Sequence, residues 1–344
     1  MMAIAGGARG CHRVYLGEIH MKIVILDGNT CNPGDLSWEG FEQFGELTVY
    51  PVTDSSNPQE VIDRIGDAEI VINNKTLMQK DVLRACPNVK YIGMISTGYN
   101  AVDAEEAGRL GIPVTNIPGY GTMTVAQHAM ALLLEVTNRV GHHNTEVKKG
   151  RWETSEDFTF WDYPLIELDG KTLGIIGYGM IGQAMGRMAQ AMGMKLIVNS
   201  RHPKPEWETE NCRYGTLDEI YAEADVISLH CPLHDGNKGM INKETIAKMK
   251  DGVILINSAR GGLVVEQDLA DALNSGKVYA AAVDTLHNEP VEPNNPLVNT
   301  KNCIITPHNA WAAKESRARI IRMAEENLAA FLKGEPRNVV NGVK

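Results

Sequence analysis

From residue 21 onward the chain alternates short β-branched runs with helical patterns. In the first third, apolar runs at residues 23–26, 47–50, 70–72, 89–95 and 113–115 predict strands, with helical spacing at 59–64, 80–85 and 104–110. Strands separated by helices imply βαβ units, and hence a parallel sheet covered on both faces. One long periodic segment follows at 124–149; its first half, 125–136, is almost wholly apolar or small, as expected of a deeply packed helix or a subunit contact. Gly150-Arg151-Trp152 and the polar, aromatic stretch 153–163 break the period and predict a surface connection. A second alternating series begins at Lys171, with strands expected at 173–176, 196–199, 226–230, 253–256, 278–283 and 303–306. Six such strands with helices between them match one open, doubly wound α/β sheet. The last periodic segment, 313–333, is amphipathic and offers Ile320, Ile321, Met323, Leu328 and Phe331 for burial.

Composition narrows the class. A length of 344 residues suggests two domains. Hydrophobic residues at 43% and charged ones at 22% exclude a disordered or fibrous chain. With 33 basic against 43 acidic side chains the net charge is −10, which argues against a nucleic-acid partner. Apolar stretches such as 129–134 fall far short of the roughly 20 residues that cross a bilayer, so a soluble protein with no membrane partner is expected. The six cysteines show no C-x-x-C pair and no zinc spacing, which predicts reduced thiols, a cytoplasmic setting and no metal site. Residues 1–20 lack the continuous apolar core of a secretion signal and read as a leader or a disordered arm.

Gly177-Tyr178-Gly179-Met180-Ile181-Gly182 fits G-x-G-x-x-G. It follows the apolar run 173–176 and opens a helix whose apolar residues fall at Ile181, Ala184, Met185, Met188, Ala189 and Met192, one stripe to lay against a sheet. Such a turn presents backbone N–H groups and a positive helix end to a pyrophosphate. A site for NAD(H) usually carries an acid at the tip of the next strand to hold the ribose hydroxyls. Here the tip reads Asn199-Ser200-Arg201-His202-Pro203-Lys204. With Ser200 in the acid's place, Ser200, Arg201 and Lys204 could take a 2′-phosphate, which favours NADP(H) with NAD(H) as the second candidate. A plain solvated basic loop is the other reading of these residues.

Three later strand ends carry polar groups: Asn257-Ser258-Ala259-Arg260-Gly261-Gly262, Asp284-Thr285-Leu286-His287-Asn288-Glu289-Pro290, and Thr306-Pro307-His308-Asn309-Ala310. In an open α/β sheet, ligands bind beyond the carboxyl ends of the strands, so these groups share one edge. His128, in an apolar helix, reads as a packed polar side chain, and His230 as a strand-end residue used through its backbone.

With these groups in view, the chain resembles the D-isomer-specific 2-hydroxy acid dehydrogenase family over nearly all of 21–344, and within it the glycerate dehydrogenase/hydroxypyruvate reductase branch. The segments that carry the resemblance are Asp27-Gly28 with Asn32-Pro33-Gly34-Asp35-Leu36-Ser37-Trp38, Ser96-Thr97-Gly98-Tyr99-Asn100, Val125-Ala126-Gln127-His128, the glycine turn, His230-Cys231-Pro232-Leu233 and the three strand ends. Ser200 departs from the Asp of many members.

The resemblance implies a Rossmann doubly wound sheet at 122–311 that binds the dinucleotide. It also implies a smaller flavodoxin-like substrate domain built from 21–121 and 312–344, with the active cleft between the two. It implies NAD(P)-dependent interconversion of a short 2-oxo acid, such as hydroxypyruvate or glyoxylate, with D-glycerate or glycolate. His308 would exchange the proton, Glu289 would fix its ring and stabilise the imidazolium, and Arg260 would grip the substrate carboxylate and carbonyl. Backbone at Thr97 and Gly98, and at Asn74 and Lys75, would hold the carboxylate. Asp284 would take the nicotinamide amide, with Cys231, Pro232, Ser258 and Ala259 lining the ring. A homodimer is implied as well. The other class kept open is a dinucleotide-sensing, corepressor-like interaction protein with little turnover.

Overall fold

The computed structural model describes residues 21–343; the expected leader or arm at 1–20 lies outside the described residues. Two compact units appear, one of the described residues up to Pro118 and from Arg317 onward, the other Gly119–Ser316.

In the first unit, strands β1 (Met21–Ile25), β2 (Gly45–Val49), β3 (Ile70–Asn73), β4 (Tyr91–Met94) and β5 (Val114–Thr115) form a parallel sheet in the order β2-β1-β3-β4-β5. This is the flavodoxin-like order, whose switch point lies between β1 and β3. Every residue of β3 and β4 is buried, as both faces are covered. Helices α1 (Pro58–Ile65), α2 (Lys80–Ala85) and α3 (Ala104–Arg109) make the crossovers. Asn57 caps α1 by accepting from Glu60 N, and Pro58 sits at its first position, where a missing N–H costs nothing. The later chain segment joins this unit chiefly through the last helix, α10 (Lys314–Leu332): Ile320 and Leu328 are fully buried, and the Phe331 ring lies 4.8 Å from that of Tyr91.

The second unit holds α4 (Thr122–Asn138), α5 (Val140–Lys148), β6 (Thr172–Ile176), α6 (Met180–Ala191), β7 (Lys195–Asn199), β8 (Cys212–Tyr214), α7 (Leu217–Glu223), β9 (Val226–Leu229), α8 (Lys243–Lys248), β10 (Val253–Asn257), α9 (Glu266–Ser275), β11 (Val278–Val283) and β12 (Cys303–Ile305). Its seven parallel strands run β12-β11-β10-β9-β6-β7-β8, a Rossmann order with its switch point between β6 and β9. Side-chain alternation divides the core into two layers. Val226, Ile254 and Ile256 pack with α4 and α6 on one face; Ile227, Val253 and Leu255 pack with α7, α8 and α9 on the other. The apolar first half of the 124–149 segment is thus a cover for this sheet.

Two expectations change. The 124–149 segment is two helices rather than one. Arg139, at φ 53, ends α4 and opens α5 in the left-handed region, held there with its guanidinium 4.7 Å over the Tyr163 ring and Nη2 3.3 Å from Asn302 Oδ1. A single left-handed residue leaves no mark on hydrophobic periodicity. The sheet also gains β8, a three-residue edge strand too short for any alternation to register. No helix among the described residues is long and apolar enough to cross a membrane.

Ile175 of β6 is fully buried in the layer beneath α4 and α6. Replacing it by alanine removes contacts that the close-packed layer cannot rebuild, so Ile175→Ala is expected to cost about 2–5 kcal/mol, read as a lower urea midpoint for this unit. An unchanged midpoint would contradict the burial.

Candidate active site

The glycine turn is shaped by close approaches. Gly177 has φ +100, and a Cβ there would collide with the backbone of Cys231, so only glycine lets the turn pass the end of β9. A Cβ on Gly182 would strike the Gly177 carbonyl, which is how closely α6 lies on the turn. Gly177 N and Tyr178 N both donate to Asn199 O at 3.0 Å, tying the turn to β7. Gly179 caps α6 without a side chain, and nothing lies within 4 Å of where its Cβ would stand. The first helical N–H groups, of Met180, Ile181 and Gly182, have no intrahelical acceptor and open on that space. The turn therefore fits a dinucleotide pyrophosphate. A cavity of about 620 Å³, lined by Asn199, Thr216, Tyr221, Asn237 and Met240 among others, borders the same edge.

At the tip of β7 the three basic-loop candidates part company. Ser200 Oγ accepts from His202 N at 3.4 Å, and Lys204 Nζ sits 4.5 Å over the Trp207 ring. Arg201 is exposed, and its guanidinium has no partner among the described residues.

The other three strand ends are folded onto one another by polar clamps. Asn257, buried at the end of β10, accepts from Ala259 N (3.0 Å) and donates to Arg260 O (2.9 Å), closing the turn that presents Arg260. A Cβ on Gly261 would collide with the Leu286 carbonyl, so this turn presses on the loop that carries Glu289. Glu289 Oε1 accepts from Leu286 N at 2.9 Å, while Oε2 lies 2.6 Å from His308 Nδ1. A carboxylate can only accept, so Nδ1 carries the hydrogen and Nε2, with no partner among the described residues, faces away from Glu289. Arg260 is exposed; its Nη1 donates to Ala259 O at 2.7 Å, and no acid among the described residues engages it.

Asp284 is only 1% exposed. Its carboxylate accepts from Thr306 Oγ1 (2.6 Å), Asn309 N (3.0 Å) and Ala310 N (3.0 Å), and so folds the turn on which His308 sits at φ 50. Two further residues join this frame: Glu266, which sequence reasoning did not single out, and His128, which it read as a packed polar side chain. Glu266, at the start of α9, accepts from His287 N and from Asn295 Nδ2, both at 2.7 Å, and so clasps the Glu289 loop at two points. His128 of α4 lies with Nε2 3.0 Å from Thr306 Oγ1. Glu266 belongs to no motif, and each of the two acts on a loop distant in sequence. Beside the turn, Cys231 is half-buried, Pro232 O accepts from Asn237 Nδ2 (2.9 Å), Ala259 is half-buried, and the buried hydroxyls of Ser258 and Thr285 have no partner among the described residues.

In the first unit, Asp27 at the end of β1 is equally buried, and its carboxylate accepts from Asn74 N (2.9 Å), Lys75 N (2.6 Å) and Thr76 N (2.9 Å). Those N–H groups are therefore spent. The expected backbone hold by Asn74 and Lys75 on a substrate does not survive, and only their side chains remain open to a ligand. Thr97 is held by Oγ1 to Ile117 O and by its carbonyl to Asn116 Nδ2, both at 2.8 Å, while the N–H groups of Thr97 and Gly98 donate to nothing among the described residues.

A Rossmann sheet with an open glycine turn and an imidazole–carboxylate pair on the same strand edge defines a class: dehydrogenases that work with a nicotinamide dinucleotide. The family model "D-isomer specific 2-hydroxyacid dehydrogenase, NAD binding domain" matches residues 130–310. Over 321 residues the chain is 58% identical to the hydroxypyruvate reductase of Blautia hydrogenotrophica, covering 93% of this chain and 100% of that one. It is 38% identical over 321 residues to the glycerate dehydrogenase of Methylorubrum extorquens, covering 93% and 98%. The crystal structure of the TT0316 protein from Thermus thermophilus superposes with a TM-score of 0.80 at 33% identity, covering 93% of this chain and 100% of that one. The chain belongs to the D-isomer specific 2-hydroxyacid dehydrogenases.

His230, half-buried beside the glycine turn with Nε2 2.8 Å from Ser228 Oγ, is pushed by loss of solvation down to about 4. In the unfolded chain it titrates near 6.5. Between these values only the unfolded state binds the proton, so this group leaves stability untouched above about pH 6.5 and erodes it as pH falls toward 4. His230→Asn is expected to flatten that part of the curve of urea midpoint against pH; an unaltered slope would count against a neutral, half-buried imidazole.

Proposed function

We propose that the protein reduces hydroxypyruvate or glyoxylate to D-glycerate or glycolate, reversibly, with NADPH preferred over NADH. The observation that carries this reading is the 2.6 Å bond between His308 Nδ1 and Glu289 Oε2, which leaves Nε2 open at the carboxyl edge of a dinucleotide-binding sheet. The name of the 58% identical relative supports the substrate class.

Bound along the glycine turn, the nicotinamide dinucleotide supplies or takes up the hydride. Met180, Ile181 and Gly182 would hold its pyrophosphate through their N–H groups, with Gly177 and Gly179 giving the room. As hydride reaches the ketone carbon, charge grows on the oxygen, and His308 Nε2 delivers the proton that completes the alcohol; in the oxidative direction it takes that proton back. Glu289 keeps the ring oriented and stabilises its charged form. Arg260, with a planar fork and no acid partner among the described residues, grips the carboxylate and steadies the developing oxyanion. In the first unit, the N–H groups of Thr97 and Gly98, without acceptors among the described residues, are backbone donors suited to a carboxylate, and Asn74 and Lys75 offer side chains. Cys231, Pro232, Ser258 and Ala259 line the ring. Asp284, with most of its acceptor positions committed to the 306–310 turn, has little left for the nicotinamide amide.

The second unit is accordingly the dinucleotide domain and the first the substrate domain. NADPH preference rests on a strand tip without an acid and on the uncommitted Arg201 beside Ser200; Lys204, drawn to Trp207, contributes charge alone. Phe158 and Trp161, 85% and 63% exposed after α5, supply an apolar surface for a second copy, consistent with a homodimer. The scattered free thiols accord with a cytoplasmic setting.

The test is a kinetic panel of hydroxypyruvate, glyoxylate, pyruvate and phenylpyruvate against both cofactors. NADPH oxidation with the first two is expected, with kcat reduced about 10²–10⁴-fold in His308→Gln. Arg201→Ala should raise KM for NADPH about tenfold while leaving KM for NADH in place. Absence of turnover with every 2-oxo acid defeats the assignment, and a higher kcat/KM with NADH than with NADPH defeats the cofactor preference.

A further inference from the structure

Helix α4 is an apolar cover for the sheet, with Ala126, Ala129, Met130, Leu132 and Leu133 buried, yet it carries one imidazole whose partners lie far along the chain. His128 Nε2 is 3.0 Å from Thr306 Oγ1 and 3.5 Å from Asp284 Oδ1. We propose that His128 is a positioning residue for the proton-transfer step, fixing through Thr306 the turn that carries His308. This rests on the functional reading above.

The direction of each hydrogen bond follows from the chemistry of the groups. Thr306 Oγ1 has a single hydrogen, and the Asp284 carboxylate 2.6 Å away can only accept it. The Thr306 oxygen must then accept from His128, so His128 carries hydrogen on Nε2. The chain His128 → Thr306 → Asp284 is ordered in one sense only, and Asp284 continues it by taking Asn309 N and Ala310 N. Residue 306 is clamped on one side of His308 and residues 309–310 on the other.

That clamp has something to resist. His308 lies at φ 50, in the left-handed region that non-glycine residues adopt at a cost, and its N–H donates to Thr306 O at 2.9 Å. Such a backbone persists where its surroundings hold it. The Glu289 contact orients the ring, but nothing in that contact fixes the backbone from which the ring projects. The Thr306 side chain does, its hydroxyl donating to Asp284 while its oxygen accepts from His128. Among the described residues His128 makes no hydrogen bond or ion pair with His308 or Glu289; its hydrogen bond goes to Thr306, with Asp284 Oδ1 next nearest at 3.5 Å. Among the described residues, Asp284 is the one acidic group within 4 Å of its ring nitrogens. Its side chain is 23% exposed, so filling the core is not the reason for an imidazole at this place.

The experiment compares His128→Ala, His128→Gln and Thr306→Val in the intact protein. The expected result for His128→Ala is a kcat lowered about ten- to a hundredfold, with KM for the 2-oxo acid and for the cofactor within about twofold and the pH profile of kcat displaced. His128→Gln, which places an amide donor near the former Nε2, should restore most of the rate. Thr306→Val should match His128→Ala, and the double variant should be no worse than either, because both remove one linkage. With ¹³C-labelled histidine, the His308 Cε1–H resonance should move in His128→Ala and return in His128→Gln. A role confined to packing would lower the urea midpoint and leave the pH profile and this resonance in place; that outcome, or additive losses in the double variant, overturns the proposal. Should His128→Ala fail to fold, Thr306→Ser against Thr306→Val asks the same question without touching α4, and equal behaviour of the two overturns it. If the wild type turns over no 2-oxo acid, the functional reading fails, and the resonance comparison still decides whether His128 positions His308.

Discussion

A carboxylate taken out of water must be surrounded by donors, and in this protein that requirement shapes the loops where chemistry is placed. Asp284, buried at the end of β11, collects Thr306 Oγ1, Asn309 N and Ala310 N. Asp27, buried at the end of β1, collects three successive N–H groups from residues 74–76. Each unit uses the same device: an acid at the carboxyl end of one strand folds the loop that follows another. Removing either acid would orphan several backbone donors at once, which is why such loops hold one shape without regular secondary structure.

Parallel topology supplies the other half of the arrangement. Because every strand of the second unit points the same way, the ends of β6, β7, β9, β10, β11 and β12 share one edge, and so do the loops that leave them. The glycine turn, Arg260, Glu289 and His308 stand on four of those ends. Two close approaches then set their spacing. Gly177 lets the first turn pass the backbone of Cys231, and Gly261 lets the Arg260 turn press on Leu286. A single methyl at either glycine would push a loop outward, moving a ligand-binding or proton-carrying group relative to its neighbours.

The His308–Glu289 pair is correspondingly well supported. Glu289 is held by Leu286 N, its loop by Glu266 and by the Gly261 contact, and the His308 turn by Asp284, Thr306 and His128. Arg260 stands in contrast, exposed and, among the described residues, bonded only to its own neighbour's carbonyl. A guanidinium with free donors suits a group that must be available to an incoming carboxylate, whereas an imidazole that moves a proton profits from a fixed position. Rigidity is concentrated at the reacting atom and relaxed at the binding charge.

Much of this was legible in the residues themselves. Alternation of β-branched runs with helical spacing identified the parallel α/β class and most strands, because a strand buried on both faces must be a near-continuous apolar run. G-x-G-x-x-G after such a run located the cofactor turn, since only glycine tolerates its φ and its close contacts. Arg260, Glu289 and His308 stood out as polar groups just past apolar runs, and the family resemblance gave them roles. What the tertiary structure alone decided concerns partners distant in sequence. The left-handed break at Arg139 depends on Tyr163 and Asn302, and the three-residue β8 exists because β7 offers it an edge. The commitment of the Asn74 and Lys75 N–H groups to Asp27 spans nearly fifty positions, and that of His128 to Thr306 spans 178. A sequence records which side chains can donate or accept and how they repeat along the backbone. Which donor meets which acceptor is settled only when the sheet has brought its strand ends together.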